Sequence, residues 1–222
     1  MRSTGNDIVA LGTIDASRTN QFRFYSKILS FTEQALYHES ELEQIPFQHY
    51  VWLLWSVKES AYKYLKRNIP GLIFSPTKII IEQLQISLDH WDDKECQCNG
   101  NKEILYKGEI TYEKNSFYFR SKICSEWIVT VVNDNENFED VYWGLQTIEH
   151  SDADHQSKTV RALLLNRLGT FFPGNLQIGK SIVGYPVIFD GTNDMHIPVS
   201  LAHDGRFVGY SFILTTGLAP QT

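Results

Sequence analysis

Apolar and polar positions follow two different periods along the chain, and these periods divide it into three parts. In the first part, apolar residues recur every three or four positions from about Phe47 to Arg67, which predicts one long helix. The middle, about residues 77–132, contains four β-branched and aromatic segments separated by polar turns, which predicts an antiparallel meander. The last part, from about residue 155, mixes a helix with short strands. The predicted fold class is therefore α+β.

Shorter elements complete the first and last parts. A strand-like segment covers residues 5–12. Ser30 and Glu33 form a capping-box pattern, which predicts a helix through about Glu39. In the last part a helix is predicted from about His155 to Leu168. Four strands are predicted after it, near residues 178–183, 186–189, 197–201 and 206–214.

The composition fits a folded protein of one large domain or two small halves. The chain has 222 residues, of which 42% are hydrophobic and 13% aromatic, and this excludes a disordered or low-complexity protein. Its 20 Lys and Arg residues against 26 Asp and Glu residues give a net charge of -6. A general nucleic-acid binder usually has a basic excess, so we expect no nucleic-acid partner.

Neither a membrane segment nor a disulfide framework is expected. The apolar run Ile8–Leu11 is too short for a signal-peptide core, and VWLLW at 51–55 is too short for a membrane span. Three cysteines are an odd number, and Cys96 and Cys98 lack the spacing of zinc and redox motifs, while Cys124 stands apart. We therefore expect reduced thiols in a cytoplasmic protein without a membrane partner.

One segment matches a nucleotide-binding motif in its residues, but the elements predicted on either side of it do not match. Gly174 to Ser181 reads G-x-x-x-x-G-K-S. This motif needs a preceding strand and a following helix whose N-terminus faces the phosphates. Here a helix precedes it, and Gly184 and Pro186 follow where the helix should grow. We expect a turn leading into a strand instead.

Charged residues inside the long helix are the first candidates for chemistry. Lys58 and Glu59 lie among large apolar side chains, where charges are rare unless paired or functional. Glu59 and Lys63 share a helix face, and on spacing alone they also fit an ordinary ion pair. Asp7, in the first strand-like segment, fits a turn residue by itself. Together, Asp7 and Glu59 could supply two oxygens to one Mg²⁺.

Three ordered motifs resemble the 4′-phosphopantetheinyl transferase superfamily, of the holo-acyl-carrier-protein synthase kind. GNDIVAL (5–11) resembles its early D-I-V strand, and WSVKESAYK (55–63) resembles its W-x-x-K-E-[SA]-x-x-K helix. PVSLAHDGRFVGYSF (198–212) resembles its S-x-S-H strand. KILSFTEQAL (27–36) is similar to the stretch between the first two motifs. The order of the three motifs makes the resemblance more specific than any one of them.

The resemblance implies two similar α+β halves packed as a pseudo-dimer in one compact unit. Residues 1–150 would form the first half, with the metal-site aspartate, the K-E-S helix and the meander. Residues 151–222 would form the second, with a helix and the S-x-x-H strand. The short synthases build their site between subunits. The greater length of this chain favours a site between halves, and hence a monomer.

The resemblance also implies a reaction. A serine hydroxyl of an apo acyl or peptidyl carrier protein would attack the β-phosphate of coenzyme A, so that the 4′-phosphopantetheine arm moves to serine and 3′,5′-ADP leaves. Asp7 and Glu59 would hold Mg²⁺. Glu59, or a water on the metal, would take the serine proton, and Lys63 would bond a phosphate oxygen.

Further coenzyme contacts are implied near the third motif. The candidates for phosphate contacts are Lys58, Lys63, His203 and Arg206. By itself, His203 also fits a turn histidine without a role. The chain departs from the family pattern at Ala202, which replaces a serine, and at Tyr185, where a lysine is frequent. Each departure removes one possible phosphate contact.

Two alternatives stay open. The departures motivate a non-catalytic relative that binds coenzyme A or a carrier protein. The aromatic richness of the meander, about 103–131, motivates a structural domain that packs against a protein partner. The charge distribution does not oppose an anionic ligand, because residues 58–67 carry a local charge of +3 and residues 133–140 a local charge of -4. The local excess of positive charge could steer a phosphate into a cleft.

Overall fold

The helical period of the first part produces the longest helix of the structure, and the strand period of the middle produces its largest sheet. The computed structural model describes residues 2–38, 42–88 and 103–214. Cys96 and Cys98 lie outside these residues, whereas Cys124 is buried and carries a free thiol. The described residues form helices and antiparallel sheets, which confirms the α+β class.

The elements are numbered in chain order. The helices are α1 (Ala16–Thr19), α2 (Phe22–Tyr25), α3 (Phe31–Leu36), α4 (Phe47–Asn68) and α5 (Ala153–Gly169). The strands of the first part and the middle are β1 (Gly5–Ala10), β2 (Ile80–Ile86), β3 (Ile104–Tyr112), β4 (Asn115–Ile123), β5 (Trp127–Asn133) and β6 (Val141–Thr147). The later strands are β7 (Leu176–Lys180), β8 (Pro186–Asp190), β9 (Asn193–Asp194), β10 (Val199–Asp204) and β11 (Phe207–Ile213).

The strands form three antiparallel sheets. The largest has the order β1-β5-β4-β3-β2, so the predicted meander is confirmed and β1 is added at its edge. The second has the order β10-β11-β6, and the third the order β7-β8-β9. Strand β6 was not predicted from the sequence. It pairs with β11, so the second sheet draws strands from both sides of the boundary predicted at residue 150. The organisation in two similar halves stays a prediction.

Two helices cover the sheets. Helix α4 packs mainly on β1 and β5, and its apolar face forms one core with the five-stranded sheet. Helix α5 packs on β10 and β11. The other face of β1 and β5 packs against the second sheet, which forms a second core. No helix among the described residues combines the length and the apolar character that crossing a membrane requires.

The close packing of β1 on α4 depends on Gly5. A Cβ atom at this position would lie 1.9 Å from the carbonyl oxygen of Ser60, so any larger residue would push the strand off the helix. This approach brings Asp7, two residues further along β1, to the face of α4 that carries Glu59 and Lys63.

Two local predictions can be compared with these elements. The capping box at the start of α3 is confirmed, because the Ser30 side chain accepts from the Glu33 amide and the Glu33 carboxylate accepts from the Ser30 amide. The segment Gly174 to Ser181 holds strand β7, which pairs with β8 in a hairpin. The strand that the sequence predicts in this segment is therefore confirmed.

Candidate active site

A cleft of about 820 Å³ lies between β1, α4 and the end of β10. It is lined by three of the predicted site residues, Asp7, Glu59 and His203. His203 lies more than 140 positions beyond both Asp7 and Glu59 in the sequence, so the fold brings the third motif to the first two. The cleft is also lined by two basic residues, by four aromatic residues and by two further carboxylates: Arg18, Lys27, Phe24, Trp52, Trp55, Phe74, Asp15 and Asp204.

Lys63 joins the two carboxylates of the cleft. Its ammonium donates to Asp7 Oδ1 at 3.0 Å and to the carbonyl oxygen of Asn6 at 3.0 Å. The same ammonium lies 3.5 Å from Glu59 Oε1, so the predicted ion pair one turn apart on the helix is confirmed. Two carboxylates and one ammonium leave this cluster with a net charge of -1.

Burial and neighbouring charges shift the pKa values of this cluster. Asp7 is 6% exposed, and burial raises its pKa to about 6; Lys63 opposes the rise and Glu59 adds to it. Burial acts to lower the pKa of Lys63, but the charges of Asp7 and Glu59 outweigh it and the net shift is upward. Lys63 is therefore a cation at neutral pH.

The acidic pair fits a divalent cation that is shared with a ligand. Asp7 Oδ2 is buried and has no hydrogen bond of full geometry within the described ranges, although the Ser56 hydroxyl lies near enough to oppose the rise in the pKa of Asp7. A buried carboxylate oxygen without a full set of donors can accept a cation. The described residues contain no group of three or more His, Cys, Asp or Glu side chains that could hold a metal alone. Mg²⁺ is commonly held by one or two carboxylates, with phosphates and water completing its shell, and Asp7 and Glu59 match this pattern.

His203 and Arg206 differ in their access to the cleft. His203 is exposed near the end of β10 and lines the cleft. Arg206 lies in the turn to β11, where its carbonyl oxygen accepts from the Ile148 amide at 2.8 Å. Its side chain is exposed but does not line the cleft. The structure therefore brings His203 to the acidic pair and leaves Arg206 outside.

Lys58, which the sequence predicts as a coenzyme contact, lies inside the protein. Its side chain is fully buried, and its ammonium lies 2.6 Å from Glu33 Oε2. It also donates to the carbonyl oxygens of Ile28 at 2.8 Å and Pro76 at 3.0 Å. Burial lowers the pKa of Lys58, and the charge of Glu33 opposes this. The donors of Lys58 are therefore engaged inside the protein, and its contact with the coenzyme stays a prediction.

Sequence reasoning missed the basic and aromatic residues of the cleft wall. Arg18 and Lys27 lie on or beside the short helices α1 and α2, where no periodic pattern indicates a site. Trp52 and Trp55 precede Glu59 by seven and four positions on α4, so helical spacing could have placed them on its side of the helix.

The two departures from the family pattern do not leave gaps in the cleft. Ala202 is 3% exposed and packs in the core between β1 and the second sheet. The ring of Tyr185 lies under the guanidinium of Arg67, 4.6 Å from its centroid. Neither residue lines the cleft.

Arg67 ties the end of α4 to the last part of the chain. Its guanidinium donates to the carbonyl oxygens of Pro186, at 3.1 Å, and Val199. Burial lowers the pKa of Arg67 to about 10. Because these two carbonyls belong to β8 and to the start of β10, the guanidinium joins three elements.

Replacing Arg67 by methionine is expected to lower the free energy of unfolding by about 1–3 kcal/mol for each carbonyl left without a donor. Urea denaturation measures this. Arg67→Lys should restore less than half of the loss, because an ammonium cannot reproduce both the stacking on Tyr185 and the planar fork. Arg2→Met, which removes a partly exposed ion pair with Asp140, is the control. Equal stability of the two methionine variants would contradict the role.

The fold and the site together define an α+β protein with an acidic pair, a bridging lysine and a cleft lined by aromatic rings and by charged side chains of both signs. Comparison with family models identifies the family. The model of the 4′-phosphopantetheinyl transferase superfamily (ACPS) matches residues 3–132, more than half of the chain, and the chain belongs to this superfamily. The match includes Asp7, Glu59 and Lys63, and it confirms the resemblance seen in the sequence. No curated protein sequence matches the chain.

Proposed function

We propose that the protein transfers the 4′-phosphopantetheine arm of coenzyme A to a serine hydroxyl of an apo acyl or peptidyl carrier protein. The superfamily acts on coenzyme A and carrier proteins. The observation that carries the proposal for this chain is the cluster of Asp7, Glu59 and Lys63 in a cleft that His203 also lines. An acidic pair beside a cation supports the proposal, because a pyrophosphate bound together with Mg²⁺ would need both.

In the proposed reaction the serine oxygen forms a bond to the β-phosphorus of coenzyme A. The bond from that phosphorus to the bridging oxygen breaks, and 3′,5′-ADP leaves with the bonding electrons. The serine proton passes to Glu59, whose side chain is 31% exposed, or to a water in the cleft. Transfer of this kind depends mainly on positioning and on neutralising charge.

Asp7 and Glu59 are the residues that would hold Mg²⁺. Bound there, Mg²⁺ supplies neutralisation of the pyrophosphate charge. Lys63 holds the two carboxylates together. Its ammonium already contacts Asn6, Asp7 and Glu59, so it would donate to a phosphate oxygen in exchange for the 3.5 Å contact with Glu59. His203, which lines the same cleft, would donate to a phosphate.

The remaining cleft wall supports the same ligand. Arg18 and Lys27 add positive charge for the other phosphates of coenzyme A. The partly buried rings of Trp52 and Phe24 offer flat surfaces for the adenine or the pantetheine chain. The monomeric state and the cytoplasmic location stay predictions from the sequence.

A non-catalytic relative that binds coenzyme A or a carrier protein is the second candidate. Its motivation was the loss of two phosphate contacts at Ala202 and Tyr185. In the structure both side chains lie away from the cleft, so their identity does not weaken it. The pair of buried Asp7 and partly exposed Lys63 favours the transferase.

The test is mass spectrometry of apo carrier proteins after incubation with coenzyme A and Mg²⁺. We expect one carrier of an acyl and peptidyl panel to gain the mass of one phosphopantetheine group, and EDTA to prevent the gain. The same carrier with alanine at its acceptor serine is the control. Calorimetric binding of coenzyme A without a mass gain on any carrier would support the second candidate instead.

A further inference from the structure

The site depends on a junction between two sheet edges that no backbone ladder joins. Strand β1 is the edge of the five-stranded sheet and β10 is the edge of the second sheet. The Leu11 amide donates to the Glu126 carbonyl oxygen on the β5 side. Because amides alternate in direction along a strand, the amides of residues 7, 9 and 11 all point toward β5. The amides of Asn6, Ile8 and Ala10 therefore point the other way, toward β10.

Side chains of β10 replace the missing ladder. Ser200 Oγ accepts from the Asn6 amide at 3.1 Å, and Asp204 Oδ2 accepts from the Ala10 amide at 2.8 Å. Ser200 and Asp204 lie four positions apart and face the same side of the strand. Ala202, midway between them, has no side-chain oxygen to offer the Ile8 amide. Two side-chain hydrogen bonds thus link the strands.

These two bonds fix the relative placement of the proposed site residues. Asp7 lies on β1 next to Asn6, and His203 lies on β10 next to Asp204. We propose that Asp204 is a positioning residue, whose carboxylate holds β10 against β1 and so keeps His203 at its working distance from the acidic pair. This proposal rests on the proposed function.

The negative charge of Asp204 is unfavourable in the cleft, so we take the hydrogen bond to Ala10 as the contribution of this residue to the site. Asp204 also lines the cleft, where a negative charge repels an anionic ligand such as coenzyme A. In the described ranges no salt bridge to Asp204 offsets this repulsion. The hydrogen bond to Ala10 needs only an oxygen acceptor, which asparagine also has.

Comparison of Asp204→Asn with Asp204→Ala separates positioning from charge. Asp204→Asn keeps an acceptor, so we expect unchanged kcat and a KM for coenzyme A about two- to fivefold lower, because a repulsive charge is gone. Asp204→Ala loses the acceptor, and we expect kcat/KM to fall about tenfold or more. Hydrogen exchange of the Ala10 amide, followed by NMR, should accelerate in Asp204→Ala only.

The exchange measurement needs no substrate, so it separates this proposal from the proposed function. A wild-type protein without transfer activity would overturn the function, while protection of the Ala10 amide would still report on the junction. Asn135→Ala is the matched control, because it removes a side-chain oxygen that accepts from the Asn137 amide in a loop outside the cleft. We expect Asn135→Ala to leave kcat and KM unchanged.

Three results would overturn the proposal. The first is a wild-type kcat/KM in Asp204→Ala, and the second is an equal loss in both Asp204 variants, which would assign the effect to the charge. The third is an Ala10 amide that exchanges equally in wild type and Asp204→Ala. Should Asp204→Ala fail to fold, Asp204→Asn decides alone, since lost activity with a protected Ala10 amide excludes positioning.

Discussion

Glu59→Gln is expected to reduce phosphopantetheine transfer by about 10²- to 10³-fold while leaving the fold intact. The substitution removes one of the two carboxylates of the acidic pair and any proton acceptor at this position. Stability should change little, because the ion pair with Lys63 is partly exposed and such pairs contribute about 0.3–0.5 kcal/mol. Carrier modification followed by mass spectrometry measures the rate, and circular dichroism checks the fold.

A second measurement on Glu59→Gln does not depend on turnover. If Asp7 and Glu59 hold Mg²⁺, added Mg²⁺ should raise the melting temperature of the wild type and not that of the variant. Glu103→Gln is a matched control, since Glu103 is 28% exposed and lies 3.4 Å from Lys122, close to the values of 31% and 3.5 Å for Glu59 and Lys63. Turnover by Glu59→Gln at the wild-type rate would remove Glu59 from the site.

Local signals in the sequence predicted the elements that carry the site. The helical period predicts both ends of α4 to within one residue, and the capping box of Ser30 and Glu33 predicts the start of α3. Asp7 and Glu59 could be singled out because a carboxylate in an apolar strand and one in an apolar helix are both unusual. The spacing of Glu59 and Lys63 predicts their contact, since residues four apart on a helix are neighbours.

Long-range pairing could not be predicted from local patterns. The contact of Asp204 with Ala10 joins positions 194 residues apart, and β6 finds its partner β11 only through tertiary packing. Strand β6 (VYWGLQT) has only a short alternating pattern, so its sequence does not distinguish it from the polar loops on either side.

The local charge of residues 58–67 does not show which cations line the cleft. Residues 58–67 are basic, but the ammonium of Lys66 donates to the Leu72 carbonyl oxygen at 2.8 Å, and Arg67 is bound to β8 and β10. Of the four cations in this segment, Lys63 contacts the acidic pair. The cations that line the cleft, Arg18 and Lys27, come from another part of the chain. Charge counts along a sequence do not show which side chains face inward.

Lys58→Met is expected to lower the free energy of unfolding by about 3–5 kcal/mol, a large share of the stability of a typical domain. The substitution leaves the buried carboxylate of Glu33 without a counter-ion, and the carbonyl oxygens of Ile28 and Pro76 without this donor. Glu33 would keep the amides of Ser30 and Ile81, which do not neutralise its charge. Urea denaturation with a fitted slope and midpoint measures the loss.

The contrast with an exposed lysine shows why burial decides the role of Lys58. Lys122→Met also removes a lysine from an ion pair, but Glu103 there is 28% exposed and water can solvate it, so a loss below about 1 kcal/mol is expected. The double variant Lys58→Met/Glu33→Gln removes both charges of this buried pair. It should therefore be more stable than Lys58→Met alone. A Lys58→Met protein of wild-type stability that has lost transfer would instead return Lys58 to the coenzyme site. The hydrogen bonds of Lys58 to Ile28, Glu33 and Pro76, in three separate segments, argue for the loss of stability, because a side chain held on all sides inside the protein has no donor left for a phosphate.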